Sequence, residues 1–353
     1  MNVVGEFQDR KCLYVGEAKD KIKQLLPVLS QIRSPGLFLW GPPGIGKSAI
    51  IKDIANEEGY IFKDIRLSLL DPVDLRGLPV IDHKNKQSQW LPPDFLPKPD
   101  EPKGILFLDE MNAAPPAVQA CAYQLILDKR IGEYILPKNW ILIAAGNRES
   151  DKTVTYAMPS ALANRFMHFD LESDLDDWKI WAYEHNIHSS IISFLSYKPT
   201  YLFKFDPENE IRTFPTPRTW EFLSQVLQNE SCISSLGDYA AGLIGYSIAS
   251  EFVTFYKLRK EIPDIEDILE GKLTEVPENL SVLYLLVGGL VSQFKANSDN
   301  ADYKENLINY MRLLPIEFGV LLAKDMVKVD STLSLNKKFI EWTSKNKAAL
   351  MAI

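Results

Sequence analysis

The residues with the clearest chemical potential form one glycine-rich run, Gly41-Pro42-Pro43-Gly44-Ile45-Gly46-Lys47-Ser48. The run fits the pattern G-x-x-x-x-G-K-[ST], in which backbone N–H groups surround the phosphates of a nucleotide. Lys47 is expected to reach the β- and γ-phosphates, and the Ser48 hydroxyl is expected to bind Mg²⁺. A glycine turn with an exposed lysine is the alternative, and the elements on either side of the run argue against it.

Two regular elements are predicted to flank this loop. The apolar run Gly36–Trp40 indicates a buried strand, and the residues from Ser48 to Ala55 place apolar side chains on one face of a helix. A strand, a glycine loop and a helix in this order direct the helix N-terminus, with its partial positive charge, at the phosphates. The predicted nucleotide-binding residues are Gly41, Pro42, Pro43, Gly44, Ile45, Gly46, Lys47, Ser48 and Ala49.

Polar side chains also follow two later apolar runs. Asp109 and Glu110 come directly after Ile105–Leu108, and Asn147 follows the run that begins at Trp140. Ligands of open α/β sheets bind at the carboxyl edge of the strands, so we expect these side chains there. Asp109 suits Mg²⁺ held through water, Glu110 suits polarising the attacking water, and Asn147 suits orienting it if the two strands are neighbours. A solvated strand end, or a turn-forming asparagine, is the alternative.

The composition is that of a globular protein with room for two domains. The 353 residues are 46% hydrophobic and 24% charged, with a net charge of −8. No apolar run is long enough to span a bilayer, and the N-terminus lacks the pattern of a signal peptide, so we expect no membrane span and a cytoplasmic location. Three scattered cysteines indicate no disulfide framework. The acidic balance makes nucleic acid the less expected partner.

The first half of the chain alternates strand-like runs with helical patterns, which predicts a largely parallel sheet. The connection between residues 66 and 104 is too long to be structureless, and its two short apolar runs predict a projecting hairpin at about residues 75–95. A proline-rich surface loop is the alternative. Helical patterns follow Leu171, among them one over Asp238–Arg259. The predicted strands are Leu37–Trp40, Tyr60–Ile65, Gly104–Leu108, Trp140–Ala145 and Phe166–Leu171.

Taken in order, the segments GPPGIGKS, ILFLDE, IAAGN and ALANRF resemble the core of the AAA+ ATPases. The segment LDEMNAAPPAVQACAYQLILDKRIGEY and the inserted hairpin are similar to the MoxR branch of that family. The resemblance implies an α/β fold, a P-loop core with a five-stranded parallel sheet flanked by helices, then an all-α lid domain and a helical C-terminal region. It divides the chain into a core at 1–171, a lid at 172–295 and an extension at 296–353.

The resemblance also implies roles for two arginines. Arg165 matches the family arginine that reaches the nucleotide of the neighbouring subunit, although Asn164 stands where MoxR-like proteins often have aspartate. A guanidinium there spreads positive charge over the transition-state oxygens. Arg148 and Arg130 are the alternatives for this role in trans. Arg218 matches the lid arginine that contacts the γ-phosphate in cis. The implied catalytic set is Glu110, Asn147, Arg165 and Arg218.

The function implied is ATP hydrolysis by a homo-oligomer, a hexameric ring that remodels or chaperones a protein partner. The cofactors are ATP and Mg²⁺, with Ser48 and Asp109 at the metal, and the family suggests a von Willebrand A-type partner. The chain lacks the Asn/Thr-Lys-x-Asp signature of GTPases, which favours ATP. Two alternatives stay open. One is a nucleic-acid motor or loader whose hairpin, around His83-Lys84-Asn85-Lys86, touches DNA; the other is a slow nucleotide-gated scaffold.

Overall fold

The computed structural model describes residues 12–31, 35–83, 87–151, 155–206 and 212–352, which divide into two compact units, Met1–Ser173 and Asp174–Ile353. The strands of the first unit are β1 (Leu13–Tyr14), β2 (Gly36–Trp40), β3 (Ile61–Arg66), β4 (Leu78–Asp82), β5 (Gln87–Leu91), β6 (Gly104–Asp109), β7 (Arg130–Ile131), β8 (Tyr134–Ile135), β9 (Trp140–Gly146) and β10 (Phe166–Glu172). Its α-helices are α1 (Val15–Leu29), α2 (Lys47–Glu57), α3 (Pro72–Arg76), α4 (Pro116–Asp128) and α5 (Ser160–Ala163).

Six strands of the first unit form one parallel sheet in the order β1-β10-β2-β9-β6-β3. The five predicted strands are confirmed, and β1 adds a two-residue edge strand that the sequence did not indicate. Strand β9 lies between β2 and β6, because Ala144 pairs with Phe38 on one side and with Leu108 on the other. The ends of the strands that carry the glycine loop, Asn147 and the acid pair therefore lie side by side.

Helices cover both faces of this sheet because its strands are apolar on both sides. Leu37 and Leu39 of β2 point to one face and pack with residues of α1 and α2. Phe38, between them, points to the other face and packs with residues of α4. Full burial of each such side chain stabilises the fold by about 1.5–3 kcal/mol. This two-sided packing fixes the register of the strands and hence the position of their carboxyl ends.

A hairpin projects from the connection between β3 and β6, at the place where the sequence predicts one. Strands β4 and β5 pair antiparallel, with Leu78 opposite Leu91. Lys84, Asn85 and Lys86 lie outside the described residues. The exposed fractions of Leu78 and Ile81 are 64% and 68%, so the described strands present an apolar surface.

The second unit is helical. Its α-helices are α6 (Leu175–Glu184), α7 (Ser189–Tyr197), α8 (Pro217–Leu227), α9 (Leu236–Ile244), α10 (Tyr246–Lys257), α11 (Ile265–Leu269), α12 (Leu280–Ala296), α13 (Ala301–Met311), α14 (Ile316–Val329), α15 (Lys337–Lys345) and α16 (Lys347–Ala352). They share an apolar core that includes Trp220, Phe252 and Phe294. Among the described residues, no helix is both long and apolar enough to cross a membrane. The division into a lid at 172–295 and an extension at 296–353 stays a prediction.

One predicted helix of this unit is wrong. The pattern over Asp238–Arg259 predicts a single helix, and the structure has α9 and α10 there. Gly245 separates them with φ of 83°, a left-handed value that ends an α-helix and that side chains other than hydrogen disfavour. Apolar periodicity alone does not report this break, because residues on both sides of the glycine keep facing the same core.

Candidate functional site

Lys47 is the first residue of α2, and its side chain turns back over the glycine loop. Only 9% of the residue is exposed. Its Nζ donates hydrogen bonds to the carbonyl oxygens of Gly41 (2.6 Å) and Pro42 (3.1 Å). A third bond goes to Oδ1 of Asn147 (2.9 Å), which follows β9. The ammonium group is thus held at the carboxyl edge of the sheet by uncharged oxygens of the loop and of a neighbouring strand.

The loop also supplies backbone donors. The amides of Gly44, Ile45 and Gly46 donate no backbone hydrogen bond within the part of the chain that the structure describes. Ser48 is the second residue of α2 and is partly buried, whereas Ala49 is exposed. Amides that face outward at the start of a helix bind anions, because the donors and the helix dipole favour negative charge at the same point.

The acid pair stands at the end of β6, one strand away from β9. The backbone N–H of Glu110 donates to Oδ1 of Asp109 (2.9 Å). Burial is the main cause that raises the pKa of Asp109, and the charge of Lys47 opposes the rise. Glu110 has φ of 54°, a left-handed conformation that is uncommon for a side chain of this size and is often found at functional sites.

Ser68 is a member of the site that the sequence reasoning missed. It lies in the 3₁₀ turn Leu67–Leu69 that follows β3, and its hydroxyl donates to Oε2 of Glu110. Strand β3 pairs with β6 so that Arg66 lies opposite Asp109, which brings this turn next to the acid pair. Since a lone serine after a strand carries no spacing signal, only the pairing of the two strands reveals it.

Asn112, a second residue of the site that the sequence reasoning missed, binds the backbone of Asn147. Nδ2 of Asn112 donates to the carbonyl oxygen of Asn147 (2.7 Å), and the N–H of Asn147 donates to Oδ1 of Asn112 (3.1 Å). Gly146 permits this approach, because a Cβ there would lie 2.3 Å from Oδ1 of Asn112. Asn112 is 2% exposed, so the pair fixes the backbone that aims the Asn147 side chain at Lys47. The motif LDEMN contained the residue but did not indicate this role.

A third carboxylate, Asp151, lies close to these groups and was also missed. Its Oδ2 accepts a hydrogen bond from the backbone N–H of Arg148 (2.9 Å). Burial raises the pKa of Asp151, while the charges of Arg148 and Lys47 oppose the rise. This carboxylate therefore adds to the negative potential around Lys47.

The three arginines considered for a role in trans differ in their contacts. Arg165 is exposed, and its guanidinium has no hydrogen bond or ion pair among the described residues. Arg148 donates to the carbonyl oxygen of Leu171 (2.8 Å) and lies 3.5 Å from a carboxylate oxygen of Asp170. Arg130 donates to the carbonyl oxygen two residues later in the β7–β8 hairpin (2.8 Å). Arg165 and Arg130 are thus both exposed, and of the two only Arg165 makes no side-chain hydrogen bond among the described residues.

Arg218 lies in the second unit. It is exposed at the second residue of α8, whose N-terminus is closed by reciprocal hydrogen bonds between Thr216 and Thr219. This capping box satisfies donors of the first turn and fixes the start of the helix. The side chain of Arg218 therefore projects from a well-defined helix end.

The predicted metal ligands fit Mg²⁺ in chemical type. Mg²⁺ is usually held by one or two protein oxygens together with substrate phosphates and water. Ser48 offers a hydroxyl at the start of α2, and Asp109 offers a carboxylate whose pKa is raised by burial. A cation beside that carboxylate would favour its charged form.

Comparison with known proteins agrees with this geometry. Residues 36–168 match the family model described as ATPase family associated with various cellular activities (AAA). The Lon protease of Rickettsia bellii is 27% identical over 199 residues, a match that covers 51% of this chain and 24% of that protein. The chain therefore corresponds to a minor part of the relative's length.

Two solved structures are similar to this chain at lower sequence identity than that relative. A candidate ATPase from Cytophaga hutchinsonii is 17% identical, with 83% of this chain and 80% of that chain covered and a TM-score of 0.36. The RuvB Holliday junction branch migration motor of Thermotoga maritima is 18% identical, with 83% and 87% covered and a TM-score of 0.38. On the family match, the motifs and the parallel sheet, residues 36–168 of this chain are an ATPase domain of the AAA family.

Proposed function

We propose that this chain hydrolyses ATP with Mg²⁺ as a MoxR-type AAA+ ATPase that works in a ring assembly. The observation that carries the proposal is the convergence of three strand ends: Lys47 is hydrogen-bonded to Asn147, and Asp109 and Glu110 end the adjacent strand. The loop amides and Lys47 bind the phosphates. Ser48 and Asp109 would hold Mg²⁺, which would supply positive charge beside the phosphates.

Glu110 and Asn147 act on the attacking water in this proposal. The Glu110 carboxylate polarises the water for in-line attack, and the hydroxyl of Ser68 orients the carboxylate. Asn112 fixes the backbone of Asn147, which sets the position from which the Asn147 side chain acts. When the ammonium of Lys47 binds phosphate in place of Oδ1 of Asn147, the amide of Asn147 becomes able to bind the water or the γ-phosphate.

An assembly completes the site. Arg165 extends into solvent, whereas Arg148 is engaged within its own unit, which supports Arg165 as the residue that enters the neighbouring subunit's site. Arg218 is assigned to the γ-phosphate in cis, from the lid. A guanidinium supplied in this way accelerates phosphoryl transfer by about 10³–10⁵-fold. A hexamer is the assembly that the family resemblance suggests.

A protein is the partner that the surface favours. The described part of the β4–β5 hairpin exposes Leu78, Ile81 and Leu91, with exposed fractions of 64%, 68% and 50%. Exposed apolar side chains on a projecting element suit contact with polypeptide, whereas nucleic-acid backbones are bound by cations. A von Willebrand A-type protein is one such partner. ATPase stimulation by DNA, with a steep dependence on salt, would instead favour the nucleic-acid motor.

The hydrolytic role is tested by Glu110→Gln. The variant should bind ATP as the wild type does and lose turnover by about 10²–10⁴-fold, the contribution typical of a general base. Glu149→Gln is the matched control, because Glu149 is an exposed carboxylate in the same unit. Undiminished turnover in Glu110→Gln, measured by phosphate release, would overturn the role; turnover near zero in the wild type with every partner class would favour the slow scaffold.

The assembly is tested by the dependence of turnover on protein concentration. Specific activity should rise as subunits associate, and Arg165→Ala should remove that rise. Arg130→Ala serves as the control, since Arg130 is exposed in the same unit. Full activity from a monomer, measured by mass photometry beside the ATPase assay, would contradict a shared site.

A further inference from the structure

The segment that carries Arg165 has little stability of its own. Helix α5, just before it, has four residues, and an isolated helix of that length is not stable in water. Its position must come from tertiary contacts. Leu162 is 3% exposed and packs in the apolar cluster that contains Phe38 and Phe166. The N–H of Arg165 donates to the carbonyl oxygen of Leu162 (2.8 Å).

Strand β10 adds a side-chain contact to this segment through His168. The imidazole Nε2 lies 2.8 Å from the carbonyl oxygen of Ala163, the last residue of α5. On the other side of the ring, Nδ1 lies 2.8 Å from Nε1 of Trp40. An indole N–H can only donate and a carbonyl oxygen can only accept, so Nδ1 accepts and Nε2 carries the proton. The two neighbours thus define one neutral tautomer.

The two partners of His168 belong to different functional segments. Trp40 ends β2 and directly precedes Gly41, the first residue of the glycine loop. Ala163 ends the helix that leads into Arg165. The same strand pair, β2 with β10, is closed at its start by a hydrogen bond from the N–H of Gly36 to the carbonyl oxygen of Arg165 (3.1 Å). Trp40, His168 and Ala163 therefore form a hydrogen-bonded chain from the nucleotide loop to the arginine segment.

We propose that His168 is a positioning residue for Arg165: by donating to Ala163 and accepting from Trp40, it fixes the segment that presents the guanidinium to the neighbouring subunit. The inference rests on the proposed role of Arg165 in trans. Its physical basis is that a displacement of about 1 Å in a group that contacts the transition state reduces rate by about 10²-fold. Loss of the His168 bonds leaves α5 held by its apolar contacts, while the hydrogen bond from Gly36 to the carbonyl oxygen of Arg165 still joins the end of the segment to β2.

Mixed assemblies give a direct test, because they separate a subunit's own site from the arginine that it donates. Glu110→Gln subunits have an inactive site and an intact arginine; Arg165→Ala subunits have an intact site and no arginine. Mixing the two should restore turnover that neither has alone. Failure of this first mixture would overturn the trans role, and the positioning inference with it.

In the second mixture, the subunit that supplies the arginine, here called the donor, carries Glu110→Gln/His168→Phe in place of Glu110→Gln alone. Restored turnover should fall by about 10²-fold relative to the first mixture. A donor with Glu110→Gln/Met167→Leu is the matched control, since Met167 lies on the same strand but packs on the other face of the sheet. Equal restoration by the His168→Phe donor would overturn the inference while leaving the trans role intact.

Two further donors distinguish positioning from loss of fold. Glu110→Gln/His168→Gln keeps an amide donor within reach of Ala163 and should recover most of the restored turnover. Glu110→Gln/Trp40→Phe removes the indole N–H, keeps a smaller aromatic ring beside His168 and should give an intermediate value. If His168→Phe prevents folding, the Trp40→Phe donor decides: restoration below that of the Met167→Leu donor supports the inference, and equal restoration overturns it.

Discussion

The two described lysines that are most deeply buried, Lys47 in the glycine loop and Lys179 in the helical unit, have different kinds of hydrogen-bond partner. The bonds of Lys47 go to two carbonyl oxygens and the amide oxygen of Asn147. Lys179, on α6, lies 2.7 Å from Oδ2 of Asp325 on α14, and the exposed fractions of the two side chains are 1% and 2%. One lysine is hydrogen-bonded to uncharged oxygens at the carboxyl edge of the sheet, and the other is paired with a buried carboxylate.

The carboxylate of Asp325, the partner of Lys179, also contacts other groups. The hydroxyl of Tyr183 donates to Oδ2 of Asp325 (2.9 Å), and Lys328 lies 3.3 Å from Oδ1. Burial is the main cause that lowers the pKa of Lys179, and the charge of Asp325 opposes the change. Burial also raises the pKa of Tyr183. Such a network ties α6 and α14 together through one shared carboxylate.

The different partners of Lys47 and Lys179 indicate different roles for a buried charge. Removing one partner of a buried ion pair is strongly destabilising, because the other charge is left buried and unpaired. Lys47 donates to carbonyl and amide oxygens, and hydrogen bonds from an ammonium group to phosphate oxygens are shorter and stronger than bonds to such uncharged acceptors. We expect the first arrangement to control stability and the second to control turnover.

The largest effect is expected from Lys179→Met. The unfolding free energy should fall by about 3–5 kcal/mol, because Asp325 is left buried without its closest cation. The measurement is urea denaturation of the full chain followed by circular dichroism, with ATP binding to the folded protein unchanged. Lys324→Met is the control, as Lys324 is a partly buried lysine on the same α14. A loss below about 1 kcal/mol would mean that the pair is not a stability determinant.

Lys47→Met should have the opposite profile. Turnover should fall by about 10²–10³-fold, the loss typical when one preorganised donor to a transition-state oxygen is removed. The unfolding free energy should change less than in Lys179→Met, because the hydrogen bonds of Lys47 to Gly41, Pro42 and Asn147 end at uncharged oxygens, whereas Asp325 loses its closest cation in Lys179→Met. Phosphate release and urea denaturation on the same preparation measure both quantities. A stability loss as large as that of Lys179→Met would remove the distinction between the two lysines.

A double variant sharpens the interpretation of the ion pair. Replacing both members, in Lys179→Met/Asp325→Leu, should recover most of the stability lost in Lys179→Met, because no unpaired charge remains. Recovery should be incomplete by about 1 kcal/mol, since the Tyr183 hydroxyl loses its acceptor. Stability of the double variant no better than that of the single one would show that the pair does more than neutralise charge.

The smallest effect concerns Asp109 and pH. Because its pKa is raised, the nucleotide-free protein holds this proton more tightly than the unfolded chain, so this group's contribution to stability falls as pH rises above the ordinary value of 3.8 through the raised pKa. Asp109→Asn should therefore raise the melting temperature of the nucleotide-free protein at neutral pH, with a smaller gain near pH 4. Thermal unfolding across pH 4–7.5 measures it; equal melting temperatures throughout would contradict a destabilising carboxylate.

Adding Mg²⁺ and ATP provides the control for that prediction. The wild type should gain more stability from Mg²⁺·ATP than Asp109→Asn does, because the proposed metal ligand is ionised only in the wild type. The variant should also lose turnover. An equal gain in both proteins would separate Asp109 from the metal.

Some elements followed directly from the sequence. The strands that end at Trp40, Asp109 and Gly146 were predicted because each is a continuous apolar run, which a strand buried on both faces requires. The edge strand β1 was missed because its two residues are too few to form a pattern. The break at Gly245 was missed because periodicity measures which face is apolar and not the sign of φ.

By itself the sequence determined the glycine loop, the acid pair and the five strands, since their signals lie within short stretches of adjacent residues. Only the tertiary structure decided that Ser68 contacts Glu110, that Asn112 holds Asn147, and that His168 joins Trp40 to Ala163. The physical reason is distance along the chain. These partners lie on different strands or turns, and a hydrogen bond between remote residues depends on strand order, which local composition does not encode.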